Sequence, residues 1–280
     1  MYQQFEAPPS LKDFVSFLYV MEVSADTATP LPELLMPSGT GVFGCQYAGC
    51  WNIKSAVLNG ALPPFYVVGQ QTVSYTLTAS PPLCGIVGAA LKPTAIWYFL
   101  RKDCTGFTNT LQNPTEIWGE AFLVFREQYT LLDDLSARKN ALISFLESVS
   151  AGITFEEDIV EMALAEIFRT KGCLTTADIC AKLPISERYL QIQFKKKVGL
   201  SPGAYARIIR FNNMFLEFSK HKGQHDLAFI TALFNYYDAA HFNKDFKKFC
   251  GEAPSSFQLE NFHLLMDLIR NGPYLTKVSE

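Results

Sequence analysis

Apolar residues between Leu174 and Phe257 recur at helical spacing, and the whole recurrence occurs twice, displaced by 52 positions. Leu190, Phe194 and Val198 fall at i, i+4 and i+8, which predicts a helix with one apolar face. Phe242, Phe246 and Phe249 repeat that stripe. At the same offset Ser186 meets Asp238, Lys195 and Lys196 meet Lys247 and Lys248, and Gly199-x-x-Pro202-x-x-Tyr205 becomes Gly251-x-x-Pro254-x-x-Phe257. Upstream the offset falls to 51, so that Ile179 meets Ile230 and Leu183 meets Phe234. Thr175 followed three residues later by Asp178 predicts a capping box, Pro184 stops the short helix that follows, and Ser186 caps the next one. Each copy therefore reads as a short helix, a tight turn and a longer helix. Pro202 to about His221 reads as a connecting helix, with Tyr205, Ile208, Ile209, Met214 and Leu216 as packing positions, Arg207 and Arg210 toward its exposed side, and Gly223 as its end.

The pattern before Gly106 has a period of two instead. Phe14 to Val23 is an aromatic and β-branched run in which Val15, Phe17 and Tyr19 alternate. Val42 to Tyr47, Val57 to Leu62, Phe65 to Val68, Val73 to Leu77 and Cys84 to Leu91 follow, separated by Gly, Pro, Asn and Ser. Short strands at this spacing predict a sandwich or barrel. Helical spacing returns at Thr94 to Arg101, at Pro114 to Tyr129 with Ile117, Phe122 and Phe125, and at Asp133 to Val149 with Leu135, Leu142, Ile143 and Leu146. Ser150-Ala-Gly152 reads as a boundary. Phe155 to Thr170 then reads as a helix whose Ile159, Met162, Ala163 and Ile167 pack beneath the repeat. The expected architecture is α+β and multidomain: residues 1–150 as a β-sandwich or barrel ending in helices, 153–262 as an all-α domain, and 263–280 as a tail.

Charge locates the candidate chemistry. The chain holds 24 Lys and Arg against 27 Asp and Glu, yet the repeat from Cys173 to Phe257 is net basic within this acidic whole. One basic module in an acidic chain points to a local polyanion contact. At 100° per residue Arg188, Ile192, Lys195 and Lys196 point away from the first apolar stripe, and His241, Lys244, Lys247 and Lys248 from the second. A short helix, a turn and a helix with a basic outer face form the helix-turn-helix arrangement, whose second helix enters a major groove. Arg188, Gln191 and Ile192 are the candidates for base edges. Lys195, Lys196, Lys244, Lys247 and Lys248 are the candidates for phosphates.

Ser186-Glu-Arg188-Tyr-Leu190-Gln-x-x-Phe194-Lys195 with Gly199-x-Ser201-Pro202-x-x-Tyr205 resembles the first helix-turn-helix unit of AraC/XylS-type transcription regulators. Tyr236-x-Asp238-x-x-His241-Phe242-x-x-x-Phe246-Lys247 with Gly251-x-x-Pro254-x-x-Phe257 is similar to their second. The resemblance covers roughly the last 100 residues. Thr231 and Asn235 stand where that family usually has Ala and Gly, Asn being a residue that tolerates positive φ, and Ala240 brings little to a base contact. The resemblance implies a bacterial regulator binding double-stranded DNA, with recognition helices about 34 Å apart in successive major grooves. It further implies a cupin-like N-terminal domain that houses a small-molecule effector or serves only for oligomerisation or partner binding, and contact with RNA polymerase if the protein activates; the helices after the sheet either dimerise, as the resemblance implies, or pack their apolar stripes on their own sheet.

Other chemistry is excluded or subordinate. No basic leader with an apolar stretch and no run able to span a bilayer is present in the sequence, so a cytoplasmic location is expected. The seven cysteines form no Cys-x-x-Cys pair, which argues against a disulfide framework or a zinc site. No His precedes His221, which removes the imidazole ligands of a metal-binding cupin and any Ser-His or Cys-His pair from the N-terminal half; no cofactor and no enzymatic activity are expected. A regulator that accepts a methyl group on Cys is the alternative, with Cys45 and Cys50 as the close pair. Gly39-x-Gly41-x-x-Gly44 matches a dinucleotide fingerprint in letters, but no usable strand leads into it and Pro63-Pro64 occupies the place of the ribose-binding acid, so it reads as a Gly-rich turn. Phe43, Tyr47, Trp51, Phe65, Tyr66, Tyr75, Trp97 and Tyr98 are aromatic surface for a pocket or for plain core.

Overall fold

The computed structural model of the chain describes residues 2–24, 32–220, 233–236 and 238–271. The β-rich region is one antiparallel sheet of eight strands in the order β1-β2-β7-β4-β6-β8, with β3 pairing β7 and β5 pairing β4. The strands are β1 (Tyr2–Glu6), β2 (Val15–Ser24), β3 (Glu33–Leu35), β4 (Gly41–Ser55), β5 (Asn59–Ala61), β6 (Phe65–Val68), β7 (Tyr75–Leu91) and β8 (Leu111–Gln112). Two expected short strands, Val73 to Leu77 and Cys84 to Leu91, are a single long β7. Pro81 and Pro82, which separate them in sequence, sit where the β4 pairing shifts register between Ala48↔Gly85 and Cys50↔Ser80. A bulge tolerates proline because the ladder there demands no N–H. Gly41 and Gly44 lie within β4 and do not form a turn. Gly44 has no Cβ because the Tyr66 ring occupies that space.

Both faces of the central strands are buried, which explains their near-continuous apolar runs. Val15, Leu18 and Val20 face one core and Phe17 and Met21 the other. The first core is covered by α1 (Ala95–Leu100), α2 (Pro114–Thr130) and α3 (Leu135–Ser150). There Phe43, Phe122, Phe125 and Phe145 make edge, tilted and stacked ring contacts with centroids 4.4–6.3 Å apart. The other face is concave, since residues from β1, β2, β3, β4, β6 and β7 surround one cavity on it.

The helical region comprises α4 (Ile159–Arg169), α5 (Thr176–Lys182), α6 (Glu187–Val198), α7 (Pro202–Lys220), α8 (Ala239–Cys250) and α9 (His263–Asn271). Helix α4 begins later than Phe155 because Asp158 caps it, accepting from the N–H groups of Val160 and Glu161. Its buried face is Val160, Ala163, Leu164 and Ile167; Met162 points to solvent, contrary to the sequence expectation. The expected tail forms α9, which returns to the sheet: the Leu264 N–H donates to Glu33 Oε2 at 2.8 Å. Gly223, Ile230 and Thr231 lie outside the described residues.

No boundary of water separates the two regions. The core of the concave face runs on into that of α4 to α9. The buried Tyr205 hydroxyl donates to the Gly39 carbonyl at 2.8 Å, and Gly39, at φ +80°, could not carry a Cβ without approaching Ile209 Cδ1 to 2.9 Å. The Cys250 thiol lies 3.5 Å from Met36 Sδ.

Candidate nucleic-acid interface

The two copies of the sequence repeat are built by the same local chemistry. In the first, Thr175 and Asp178 form the expected capping box on α5, and the Ser186 side chain accepts from the Tyr189 N–H to start α6. In the second, Asp238 accepts from the His241 N–H at 2.7 Å to start α8. Each helix ends on a glycine in the left-handed region, Gly199 at φ 89° and Gly251 at φ 85°, where only glycine avoids Cβ strain. Lysines fill both last turns and favour the negative end of the helix dipole. Asn235, in the turn before α8, adopts φ 52°.

Packing fixes which faces are free. Leu190, Phe194 and Val198 of α6 and Phe242, Phe246 and Phe249 of α8 are buried. Arg188, Gln191, Ile192, Lys195 and Lys196 are exposed on α6, and Lys244, Lys247 and Lys248 on α8, with His241 half-buried against the Tyr236 ring. Partial desolvation, with the Arg207 charge nearby, holds the otherwise exposed Lys248 ammonium below the usual lysine range. The apolar stripes thus leave a polar outer face on each helix, as the spacing requires. Tyr189 was not among the sequence candidates, yet it is as exposed as Ile192, about half of each side chain being open to solvent. Its place three residues before Ile192 and seven before Lys196 is the signal that marks it.

Three cations of the repeat are structural. Lys197 follows Lys195 and Lys196 in sequence, but its side chain is only 7% exposed; it pairs with Asp158 and lies 3.7 Å from the Trp97 ring centroid. Arg207 and Arg210, expected toward solvent on α7, converge instead on Asp245 of α8, which is wholly buried. Arg207 Nε donates to Asp245 Oδ1 at 2.6 Å, and Arg210 also stacks over Tyr236. These pairs fix α8 against the connecting helix, and Lys197 fixes α6 against α1.

The sheet region also holds the end of α6. The Lys196 carbonyl accepts from the Cys104 N–H at 2.8 Å, and the Gly199 carbonyl accepts from the Thr108 hydroxyl at 2.9 Å. Asp103, in the same loop, is held below the usual carboxylate range, chiefly by bonds from Thr105 and further by Lys196 and Lys195. Of the eight aromatic residues singled out in sequence, Tyr66 and Tyr75 line the concave cavity, whereas Phe43 and Phe65 pack beneath α2 and α3 and Trp97 takes Lys197.

The helix-turn-helix domain family matches residues 179–260. Among solved structures, the chain is similar to ToxT from Vibrio cholerae at 12% identity and a TM-score of 0.46, covering 94% of this chain and 99% of that one. ToxT from strain SCE256 with an unsaturated fatty acid bound is similar at 12% identity and a TM-score of 0.41, covering 91% and 93%. The AraC-like transcriptional activator CuxR is similar at 15% identity and a TM-score of 0.23, covering 75% and 79%. No curated protein sequence matches the chain. Among the described residues no helix is long and apolar enough to cross a membrane.

Proposed function

We propose, from the match of residues 179–260 to a helix-turn-helix domain family, that the protein is an AraC-type, sequence-specific transcription regulator, with α6 and α8 as its two recognition helices and the β-rich region as its effector domain. The observation that carries this reading is the matched pair of helices: same cap position, same terminal glycine, and apolar faces buried so that Arg188, Gln191, Ile192, Lys195, Lys196, Lys244, Lys247 and Lys248 remain in solvent. Arg188 and Gln191 have the donors and acceptors that base edges require, Ile192 and Tyr189 offer apolar contact to a thymine methyl, and the lysines neutralise phosphates. The methyl-acceptor alternative gains no support, because Cys45 is buried and its thiol is pushed well up, the reverse of an activated nucleophile.

The test is fluorescence anisotropy of the full chain on its own upstream DNA and on a scrambled duplex across a salt series. Selective binding with a steep salt slope is expected. Changing Lys195 and Lys196 to Ala should lower the slope by about 2, roughly one per phosphate contact, and weaken both duplexes alike. Equal binding to both duplexes by the wild type would end the claim of sequence specificity, and an unchanged slope in the variant would remove these two lysines from the interface.

A further inference from the structure

We propose that Asn243 of α8 reads an adenine in the second half-site, through the same amide-to-base pair that Gln191 of α6 makes in the first. The proposal rests on the reading of α6 and α8 as recognition helices and names what the second of them recognises.

The two helices match in length and in register. Gln191 is the fifth residue of α6 and Asn243 the fifth of α8, with the same spacing back to the cap, Ser186 or Asp238, and forward to the terminal glycine, Gly199 or Gly251. Each amide directly follows a wholly buried anchor, Leu190 or Phe242, so packing turns both the same way. Both side chains are exposed, and one turn further on each helix presents an exposed lysine, Lys195 or Lys247. The outer face of α8 is therefore not purely cationic. It carries a carboxamide where α6 carries one.

Local structure does not account for Asn243. Asparagine favours the cap of a helix and is a poorer residue than glutamine inside one, because its amide competes for backbone partners. The cap of α8 is already supplied by Asp238, whose carboxylate accepts from the His241 N–H at 2.7 Å. What the amide offers is one donor and one acceptor side by side. In the major groove adenine alone presents the complement, an N7 that accepts and an N6 amino group that donates; guanine presents two acceptors, cytosine a donor, and thymine an acceptor and a methyl group. Asn243 is shorter than Gln191 by one methylene, so α8 must lie deeper in its groove than α6. Its first turn permits this, since the exposed Ala239 and Ala240 stand where α6 has Glu187 and Arg188. The two half-sites then share an adenine and differ beside it: Arg188 suits a guanine next to the first, and the Ala240 methyl suits a thymine next to the second.

The probe is a pool of duplexes with a random core of about 30 base pairs, long enough for two half-sites one helical turn apart, from which the full chain, Gln191→Ala and Asn243→Ala each select. Both variants replace an exposed side chain with the strongest helix former, so the fold is kept. The wild type should enrich a two-part sequence with a fixed adenine in each part. Gln191→Ala should lose the preference for one adenine and Asn243→Ala for the other, and on the wild-type duplex Asn243→Ala should bind about five- to a hundredfold more weakly. The adenine that depends on Asn243 is then replaced by 7-deazaadenine, which has C–H in place of N7. By anisotropy this should weaken the wild type about three- to tenfold and Asn243→Ala by less than about twofold. An enriched sequence with one specified part, an unchanged adenine preference in Asn243→Ala, loss of preference for a base other than adenine, or equal losses for the two proteins on 7-deazaadenine would each overturn the proposal and leave the regulator reading in place. Enrichment of no common sequence by the wild type would overturn both.

Discussion

Asp245→Ala should lower the stability of the helical region by about 3 kcal/mol, the loss found when one partner of a buried ion pair is removed. Roughly 2–4 °C of Tm per kcal/mol then gives a fall on the order of 10 °C. Asp245 is wholly buried on α8, while Arg207 and Arg210 reach it from α7 with side chains 32% and 16% exposed. Without the carboxylate, Arg210 remains against the Tyr236 ring with no counter-charge. Arg207 is the more exposed and regains some hydration, which keeps the estimate at the low end of the range. The double variant Asp245→Ala with Arg207→Met should lose less than the sum of the singles, because their interaction is counted in both. Since α7 joins the two units, the same variant should reduce affinity for a bipartite operator by more than its effect on the folded fraction explains. Calorimetry and anisotropy on one sample separate the two effects. A Tm within 1 °C of the wild type would show that the pair contributes nothing net.

That buried carboxylate also marks where reading the sequence stops. The two helix-turn-helix units were legible because their signals are local: caps at Ser186 and Asp238, glycines at the same offset, apolar residues at i, i+4 and i+8. Asp245, Arg207, Arg210 and Lys197 look like ordinary surface charges on amphipathic helices, and only tertiary contact buries Asp245 and Lys197 and draws the two arginines partly out of solvent. The sheet was legible in its apolar strands and misread at its polar ones. Tyr2–Glu6 has too few apolar residues to stand out, yet it pairs with β2 over its full length. The segment Tyr75–Leu91 was divided at prolines that a bulge accommodates. The return of α9 to the sheet had no sequence signal beyond its apolar residues Leu264, Leu265 and Leu268, which lie on one face at helical spacing and which a solvated tail would have no reason to carry.

Asp158→Ala should also cost about 3 kcal/mol, by a different division of effects. The Asp158 side chain accepts from the Val160 N–H at 2.9 Å and the Glu161 N–H at 3.3 Å, which caps α4, and it also pairs with Lys197. Loss of a cap is worth about 1 kcal/mol, and the remainder comes from leaving the buried Lys197 ammonium with the Trp97 and Tyr98 rings and the Glu161 carboxylate but without its paired carboxylate. Asp158→Asn separates the two, because an amide oxygen caps as well as a carboxylate but carries no charge; it should lose roughly two thirds of the total, and Lys197→Met added to Asp158→Ala should restore about the same part. The junction binds three elements at once: Asp158 opens α4, Lys197 belongs to α6, and Trp97 belongs to α1 beneath the sheet. Loosening it therefore frees the first recognition helix from the β-rich region as well as destabilising α4. If that contact restrains α6, Asp158→Asn should alter affinity for the first half-site at a temperature where the protein is still folded, while affinity for the second half-site stays within twofold. Equal changes at both half-sites would mean that the junction acts on the stability of the whole chain and does not set the position of one helix.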